Sequence, residues 1–386
     1  MADSISSVSL NAKAWRRLKR NWSAMFGLFV ITLSIILAFL VYVVSPDSSP
    51  SGNEQILQLA THPPGFSIQI LKKKKTRALS GGFASGLVNG FEPDYLPIPI
   101  TAFHLEKDSL QFTEYRGKSF RAEVRKLSYA DILGEEAKDK TSAERQDLVE
   151  KQQIEWRTFW LGTDKFGRDI LSRLIIGVRV SLSVGLISVF ISLFIGVVLG
   201  AWAGYFKGWA DDVIMWLINV FWSIPTLLLA MGLYISAGSL VENKLVMIFI
   251  AVGFTMWVET ARIVRGQFLS IRELEYVTAA RSLGFGDSRI IFKHILPNIT
   301  GPIIVVACAN FASAILVESG LSYIGLGIQP PAPSWGSMLN EYKDFIDTDK
   351  AYLALFPGAA IMLMVLAFNL LGNGLRDALD VKGKMG

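Results

Sequence analysis

One cysteine in 386 residues leaves nothing with which to close a disulfide, and three histidines far apart in the chain make no metal-ligand pattern. Cys308 reads as a small apolar residue inside a helix. Charge is also scarce. Asp, Glu, Lys and Arg make up 18% of the chain against 51% hydrophobic residues, with a positive mean hydropathy, which excludes an ordinary soluble domain. No Gly-x4-Gly-Lys-[Ser/Thr] loop occurs, so the chain has no cradle of its own for nucleotide phosphates. The net charge of +5 is not gathered into a basic domain. Basic residues flank apolar runs instead, which points to membrane and away from nucleic acid.

The apolar runs are long. A bilayer core takes roughly 20 apolar residues in helix, and Ala24–Val44, Val180–Ala203, Val213–Ala237 and Ala351–Leu371 are free of charge over about that length. Ile299–Val317 is a fifth run, its helix expected to continue past Glu318. Leu245–Val258 is a sixth, expected to borrow polar flanks toward Arg262. Backbone groups in lipid are satisfied internally, so these runs are helices, and their lack of alternation excludes a barrel. Pro225, Pro302 and Pro357 need no more than kinks, and no helix broken at midplane is evident. Ala24–Val44 is too long for a signal h-region and precedes no cleavage motif, so it is expected to remain as a span.

Loop charge sets the orientation. Lys13, Arg16, Arg17, Lys19 and Arg20 precede the first span, Arg262–Lys293 is a basic loop, and Arg376, Lys382 and Lys384 follow the last span. With an even span count these fall on one side, the expected cytoplasm. Arg168, Arg173 and Arg179 lie on the opposite side, against the rule. The polar stretch between the first two spans is too long for a connection. It opens on turn formers at Ser45–Asn53 and has a hairpin pattern over Ser109–Val124. Leu110 and Phe112 mark one arm, Phe120, Ala122 and Val124 the other, and Arg116-Gly117-Lys118 the turn. Ser128–Trp156 reads as solvated helix, and Lys72–Lys75 as a solvated charge run or strand edge. The expectation is a small extracytoplasmic α+β module.

The stretch Ser270–Asn298 carries the functional argument. Ser270 and Glu273 have capping-box spacing. Leu274, Val277, Ala280 and Leu283 or Gly284 follow at helical spacing, and Ala279 and Ala280 thin the helix surface so that another protein can come close. Gly284 suits a left-handed helix end. Asp287 is placed to cap a second short helix through Ile290, Ile291 and Ile295 into Pro297. The bland alternative is an amphipathic interfacial connector. Two membrane acids stand out. Glu318 is a candidate for a transport pathway, balanced against a hydrogen-bonded interface role, and Glu259 is expected to be neutralised by nearby Arg262.

This loop resembles the Glu-Ala-Ala motif of ABC importer permeases. Ala279, Ala280, Gly284, Leu296 and Pro297 fall at matching places, while Thr278 stands for the motif's Glu and His294 for an Ile. Glu-Tyr-Val-x-Ala-Ala-Arg with His-Ile-Leu-Pro-Asn is similar to the dipeptide and oligopeptide (and nickel) branch, in which Glu275 would supply the acid one turn earlier. Leu161-Gly162-Thr163-Asp164, Gly167-Arg168-Asp169 and Ser172-Arg173 resemble that branch's entry to the second span. Leu321–Gly327, Pro330–Gly336 and Asn369–Asp377 resemble its C-type subunit, with Asn373 in place of an acid.

The resemblance implies an all-α polytopic fold: a six-helix permease bundle with an α+β insertion between helices 1 and 2. Residues 1–45 would be a cytoplasmic tail and first span, 46–160 the insertion, and 161–386 a five-helix core with coupling loop 263–298. It implies a cell (inner) membrane permease subunit, not an enzyme, of a binding-protein-dependent importer for peptides. Glu275, Thr278, Ala279, Ala280, Gly284, Leu296 and Pro297 would contact an ATPase. ATP and Mg would be held by two separate ATPase subunits. A B-type second permease and an extracytoplasmic substrate-binding protein would complete the assembly, with membrane lipid around it and no cofactor in this chain. Nickel or another small solute is the alternative cargo, and a stand-alone secondary transporter the alternative class.

The missing phosphate loop yields a first prediction. The purified chain alone hydrolyses no ATP in a phosphate-release assay. Turnover that a point substitution in this chain abolishes would contradict it.

Overall fold

The computed structural model describes residues 10–75, 82–117, 123–238, 241 and 243–379. A basic helix α1 (Leu10–Arg20) leads into α2 (Trp22–Val44), whose first turn is capped by the Asn21 side chain accepting from the Ala24 N–H at 3.1 Å. The long helix α6 (Ile170–Phe206) follows the module described below, with Asp169 as its cap, and α9 is Lys244–Ile271. The α12 helix (Thr300–Tyr323) is continuous with a preceding π-type turn, and α14 is Tyr352–Leu379. Among the described residues, five helical stretches, α2, α6, α9, Asp287–Tyr323 and α14, are long and apolar enough to cross a membrane.

The sixth expected span is not one rod. Val213–Ala237 is divided into α7 (Gly208–Trp222) and α8 (Thr226–Ala237), bent by 94°. The expectation of a mere kink at Pro225 is therefore corrected. Proline has no N–H to continue the ladder, and its ring pushes Ile224 out of helical backbone. The pair makes a sixth span only if it crosses as a broken helix.

The bundle is built on α6 against α9. Gly196, Gly200 and Gly204 form a stripe one turn apart on α6. A Cβ on Gly200 would lie 2.4 Å from the Ala261 carbonyl oxygen, so the two backbones approach where no side chain fits. Deeper in, Asn310 of α12 donates its Nδ2 to Ser192 Oγ of α6 and Thr260 Oγ1 of α9, each at 3.0 Å, and is buried. Arg265 of α9 grips Asp211 of α7 with two bonds of 2.5 and 2.6 Å, and the Arg262 guanidinium stacks 3.9 Å over Trp222. Arg262 is thus engaged with an aromatic ring, while Glu259 is exposed. Cys308 is buried, as expected.

Between α2 and α6 sits an antiparallel sheet in the order β4-β3-β2-β1-β5. The strands are β1 (Phe66–Lys74), β2 (Tyr95–Leu105), β3 (Ser109–Glu114), β4 (Glu123–Ser128) and β5 (Ile154–Phe159). Helices α3 (Phe83–Asn89), α4 (Tyr129–Leu133) and α5 (Ser142–Leu148) accompany it. One face packs Leu71, Ile100, Leu110 and Phe112 on Tyr129, Ile132 and Leu133, and the other joins Ile68, Ile70 and Phe159 to Ile56 and Leu59. Leu110 and Phe112 alternate inward as the sequence pattern required.

The second arm of the hairpin is Glu123–Ser128, later than read. Phe120, Ala122 and Lys118 lie outside the described residues, as do Lys382 and Lys384 of the tail. Ser128–Trp156 is helical over much of its length but ends in β5. Lys72 and Lys74 lie on a central strand, not an edge, because Glu155 neutralises Lys72, and Asp94 and Glu136 neutralise Lys74. The sheet is fastened to the start of α6: the Asp47 N–H donates to Ser172 Oγ at 2.8 Å, and the Thr61 N–H to the Asp164 carbonyl at 2.9 Å.

The α6–α9 contact makes a prediction. Gly200→Val should lower stability by about 1–3 kcal/mol through overpacking, read as a lower midpoint of thermal unfolding in detergent. Gly266→Val on α9, where a Cβ meets nothing within 4 Å, should leave the midpoint nearly unchanged. Equal effects would show that the close approach is not what holds the pair.

Candidate functional site

The loop after α9 folds as helix, glycine turn, helix. The first helix, α10 (Glu275–Ser282), starts later than the sequence suggested. Ser270 is still inside α9, Leu274 is the residue before α10, and no side chain caps that end. The expected capping box is therefore absent. The α9 helix wins Ser270 because Phe268 beside it is buried in the loop's core. Glu273 instead pairs with Lys207 at 2.9 Å, and that hydrogen bond holds its carboxyl below the usual range.

The turn follows the sequence reading closely. Gly284 has φ +78, the Phe285 N–H donates to the Ala280 carbonyl at 3.2 Å, and the Gly284 N–H to Arg281 at 3.0 Å. These two bonds satisfy the carbonyls that a helix end leaves open. Asp287 caps nothing. It opens the short helix α11 (Asp287–Arg289), and its Oδ1 accepts from the Tyr205 hydroxyl at 2.5 Å. The chain then passes through a π-type turn at Ile290–Ile295 and a tight turn at Leu296–Ile299 into α12. Tyr205 and Lys207, at the end of α6, thus hold the loop from two sides.

The two faces of α10 differ. Val277 and Ala280 are buried with Tyr205, Val264, Phe268, Ile290, Ile295 and Ile299, and Leu296 packs at the edge of this cluster. Ala280 therefore faces its own chain. Glu275, Thr278, Ala279 and Gly284 are exposed, as is Pro297. The Thr278 hydroxyl donates back to the Leu274 carbonyl at 3.3 Å. His294 stacks on Phe285, centroids 5.8 Å apart. Leu283 is 74% exposed and Leu274 46%. Both were read only as helical spacing, yet they put apolar surface beside Ala279. Leu283 stands next to the turn glycine and Leu274 just before α10.

At the other end of α6 lies a buried ion cluster that sequence reading missed. Arg168 donates from Nε to Asp164 Oδ2 at 2.7 Å and pairs with Glu341. Arg173 pairs with Glu341 at 3.0 Å, and the Tyr342 hydroxyl donates to Asp164 at 3.0 Å. Burial alone would lower the Arg168 pKa, but the two carboxylates more than offset it and raise it. Asp169 is pushed up by burial even though Ser172 donates to it. Arg168 and Arg173 are thus neutralised inside the fold and carry little weight in a loop-charge count. Glu341 and Tyr342 belong to α13 (Trp335–Tyr342), so the cluster ties α6 to α13.

Glu318 is fully buried on α12. It accepts from Ser322 Oγ at 2.8 Å and from Ser334 Oγ at 2.9 Å. Ser334 is also the cap of α13. These contacts hold the carboxyl between α12 and the cap of α13, with Ser319 Oγ 3.5 Å from its other oxygen.

Two family models match the chain. "Binding-protein-dependent transport system inner membrane component" matches residues 196–382, and "N-terminal TM domain of oligopeptide transport permease C" matches residues 9–64. A glutathione transport system permease protein of Pectobacterium atrosepticum is 44% identical over 58% of this chain and 73% of its own. A dipeptide transport system permease protein of Alkalihalophilus pseudofirmus is 44% identical over 58% and 72%. A solved inward-facing MetNI methionine ABC transporter is 18% identical, covering 53% of this chain and 95% of its own, with a TM-score of 0.45.

The burial of α10 separates two neighbouring alanines. Ala280→Asp would place an unpaired charge in the cluster under α10, at a cost of several kcal/mol, and should lower the unfolding midpoint of the isolated chain. Ala279→Asp should not. The opposite order would mean that α10 packs through its other face.

Proposed function

The chain belongs to the binding-protein-dependent transport system inner membrane component family, in its oligopeptide permease C branch, and from that premise we propose that it is one pore-forming subunit of an ATP-driven peptide importer. Relatives that are permeases of glutathione and dipeptide transport systems support peptide cargo. Nickel or another small solute is the alternative cargo. The bent α7–α8 pair resembles the broken helices that secondary transporters use.

One observation carries the coupling role. A glycine-turned helix with an exposed face of Leu274, Glu275, Thr278, Ala279 and Leu283 stands at the end of the bundle opposite the sheet. In this reading that face rests on an ATPase subunit, with Gly284 at the contact, while Ala280 and Leu296 hold the loop to its own bundle. Pro297 sets the turn into α12. Two ATPase subunits hold ATP and Mg, a B-type permease completes the pore, and a substrate-binding protein delivers cargo on the far side.

The same reading orients the chain. It is a multi-pass membrane protein, and we assign both termini and loop 263–298 to the cytoplasm. Residues 46–160 are an extracytoplasmic insertion on the 161–386 core. The neutralised Arg168 and Arg173 remove most of the contrary charge. Nucleotide-driven closure of the ATPase pair would then move α10 and rock the bundle as a rigid body.

The test is co-purification and uptake with the reconstituted importer. Leu283→Asp and Gly284→Val should each cut uptake at least about tenfold while the chain's own unfolding midpoint stays within a few degrees. Valine at φ +78 is strained by about 1–3 kcal/mol at a place where nothing else would be displaced. Retained ATPase and undiminished uptake in both variants would show that α10 is only a connector.

A further inference from the structure

Helix α1 carries Lys13, Arg16, Arg17, Lys19 and Arg20 and no acid. All five side chains are exposed. At about 100° of turn per residue, Lys13, Arg16, Arg17 and Arg20 share one arc of the helix, about 100° wide. Ala14, Trp15 and Leu18 lie on the opposite side, where Leu18 is buried. The Lys19 ammonium sits 5.3 Å from the centre of the Trp15 ring.

The place of α1 is fixed from two directions. Only Asn21 separates it from α2, so the cations stand directly before a helix able to cross a membrane. Leu18 packs with Ala24 of α2 and with Leu375 and Ala378 of α14. Gly374 makes room for this contact, because a Cβ there would lie 2.2 Å from Ala24 Cβ. The helix is therefore held against the ends of two spans, with its basic arc turned away from them. The start of α12 lies at the same end, since a Cβ on Gly301 would be 3.4 Å from Leu379 Cδ1. The basic arc is thus at the α10 end of the bundle.

Two simpler explanations fall short. Cations in a last turn suit the negative end of the helix dipole, which accounts for Arg17, Lys19 and Arg20 but leaves Lys13 and Arg16. Membrane orientation requires positive charge on one side, but neither a helix, nor a single arc, nor a docked Leu18. The nearby end of α14 adds no net charge, because Arg376 is followed by Asp377. Clusters of four or more cations beside a span are drawn to an anionic bilayer surface, and tryptophan settles at the same level. Trp15 and the 86% exposed Trp22 flank the arc, which favours lipid over an acidic protein surface. We propose that the outward arc of α1 is a binding surface for anionic phospholipid headgroups in the leaflet at the α10 end. This goes beyond the importer reading and needs only the membrane placement of α2 and α14.

The experiment uses the full chain in phosphatidylcholine vesicles. Ser23, exposed at the start of α2, is replaced by cysteine in a Cys308→Ala background and labelled with bimane. Quenching is compared between small amounts of phosphatidylglycerol and of phosphatidylcholine, each with a doxyl group high on its acyl chain. At about 20 mM salt the acidic lipid should associate at least about threefold more strongly, and at about 1 M salt the two should be nearly equal. Lys13→Gln/Arg16→Gln/Arg17→Gln/Arg20→Gln should abolish the preference at low salt. Equal quenching in the parent chain, or a preference that survives the fourfold change, overturns the proposal. If the fourfold variant does not insert, Arg16→Glu is read instead: a preference cut by about half or more supports the surface, and an unchanged one overturns it. Sodium chloride and sodium glycerophosphate at equal ionic strength should weaken the preference alike. A much stronger effect of glycerophosphate would mean a pocket for a free anion and overturns it. Co-purification with the ATPase subunits in detergent is measured separately. Loss of the ATPase in the fourfold variant with lipid preference unchanged would assign the arc to a protein partner and also overturns the proposal.

Discussion

Everything in this fold hangs on the backbone contact between α6 and α9. A glycine stripe lets the two helices meet where Gly200 faces the Ala261 carbonyl. In lipid there is little hydrophobic drive to bring helices together, so close van der Waals contact and a few buried polar bonds do that work. Asn310 supplies such bonds by reaching both helices at once. With α6 fixed against α9, its two ends are fixed as well. One end carries the ion cluster and the anchored sheet, and the other carries Tyr205 and Lys207, which hold the glycine-turned loop.

The two ends are stabilised by opposite means. At the cluster, charge is buried and matched: Asp164 and Glu341 neutralise Arg168 and engage Arg173, and Tyr342 closes the set. Such an arrangement adds less to stability than to uniqueness, because any slip of α13 along α6 would strand a charge. At the loop the interior is apolar and small, with Val277 and Ala280 under α10, and the charges stay at the rim in water. The first design favours a fixed geometry. The second leaves a thin, partly apolar outer face open to a partner.

Much of this was legible in the sequence. Hydrophobic runs found the membrane helices because length and the absence of charge are imposed by the bilayer, not by neighbours. Gly284 could be assigned its left-handed turn because few other residues fit there. What sequence could not show depended on tertiary contacts. The Ser270–Glu273 spacing had the right chemistry for a cap, but burial of Phe268 keeps that stretch in α9. Ala279 and Ala280 are identical residues side by side, and only the packed cluster distinguishes the inward one. The bend at Pro225 looked like a tolerable kink, since composition does not report an angle. Arg168 and Arg173 looked like misplaced positive charge, because Glu341, the carboxylate they share, lies 173 and 168 residues away in the chain.

The uninterrupted run of α6 has a mechanical meaning. At 1.5 Å per residue its 37 residues span about 55 Å, well beyond the thickness of a hydrocarbon core. It is a lever as well as a span. A tilt of about 10° about one end carries the other sideways by about 10 Å, several times the width of a peptide bond. A displacement too small to disturb the contacts around Tyr205 would therefore arrive magnified at Arg173, so the amplitude of motion at one face of the bundle is set by a length, not by a chain of local rearrangements.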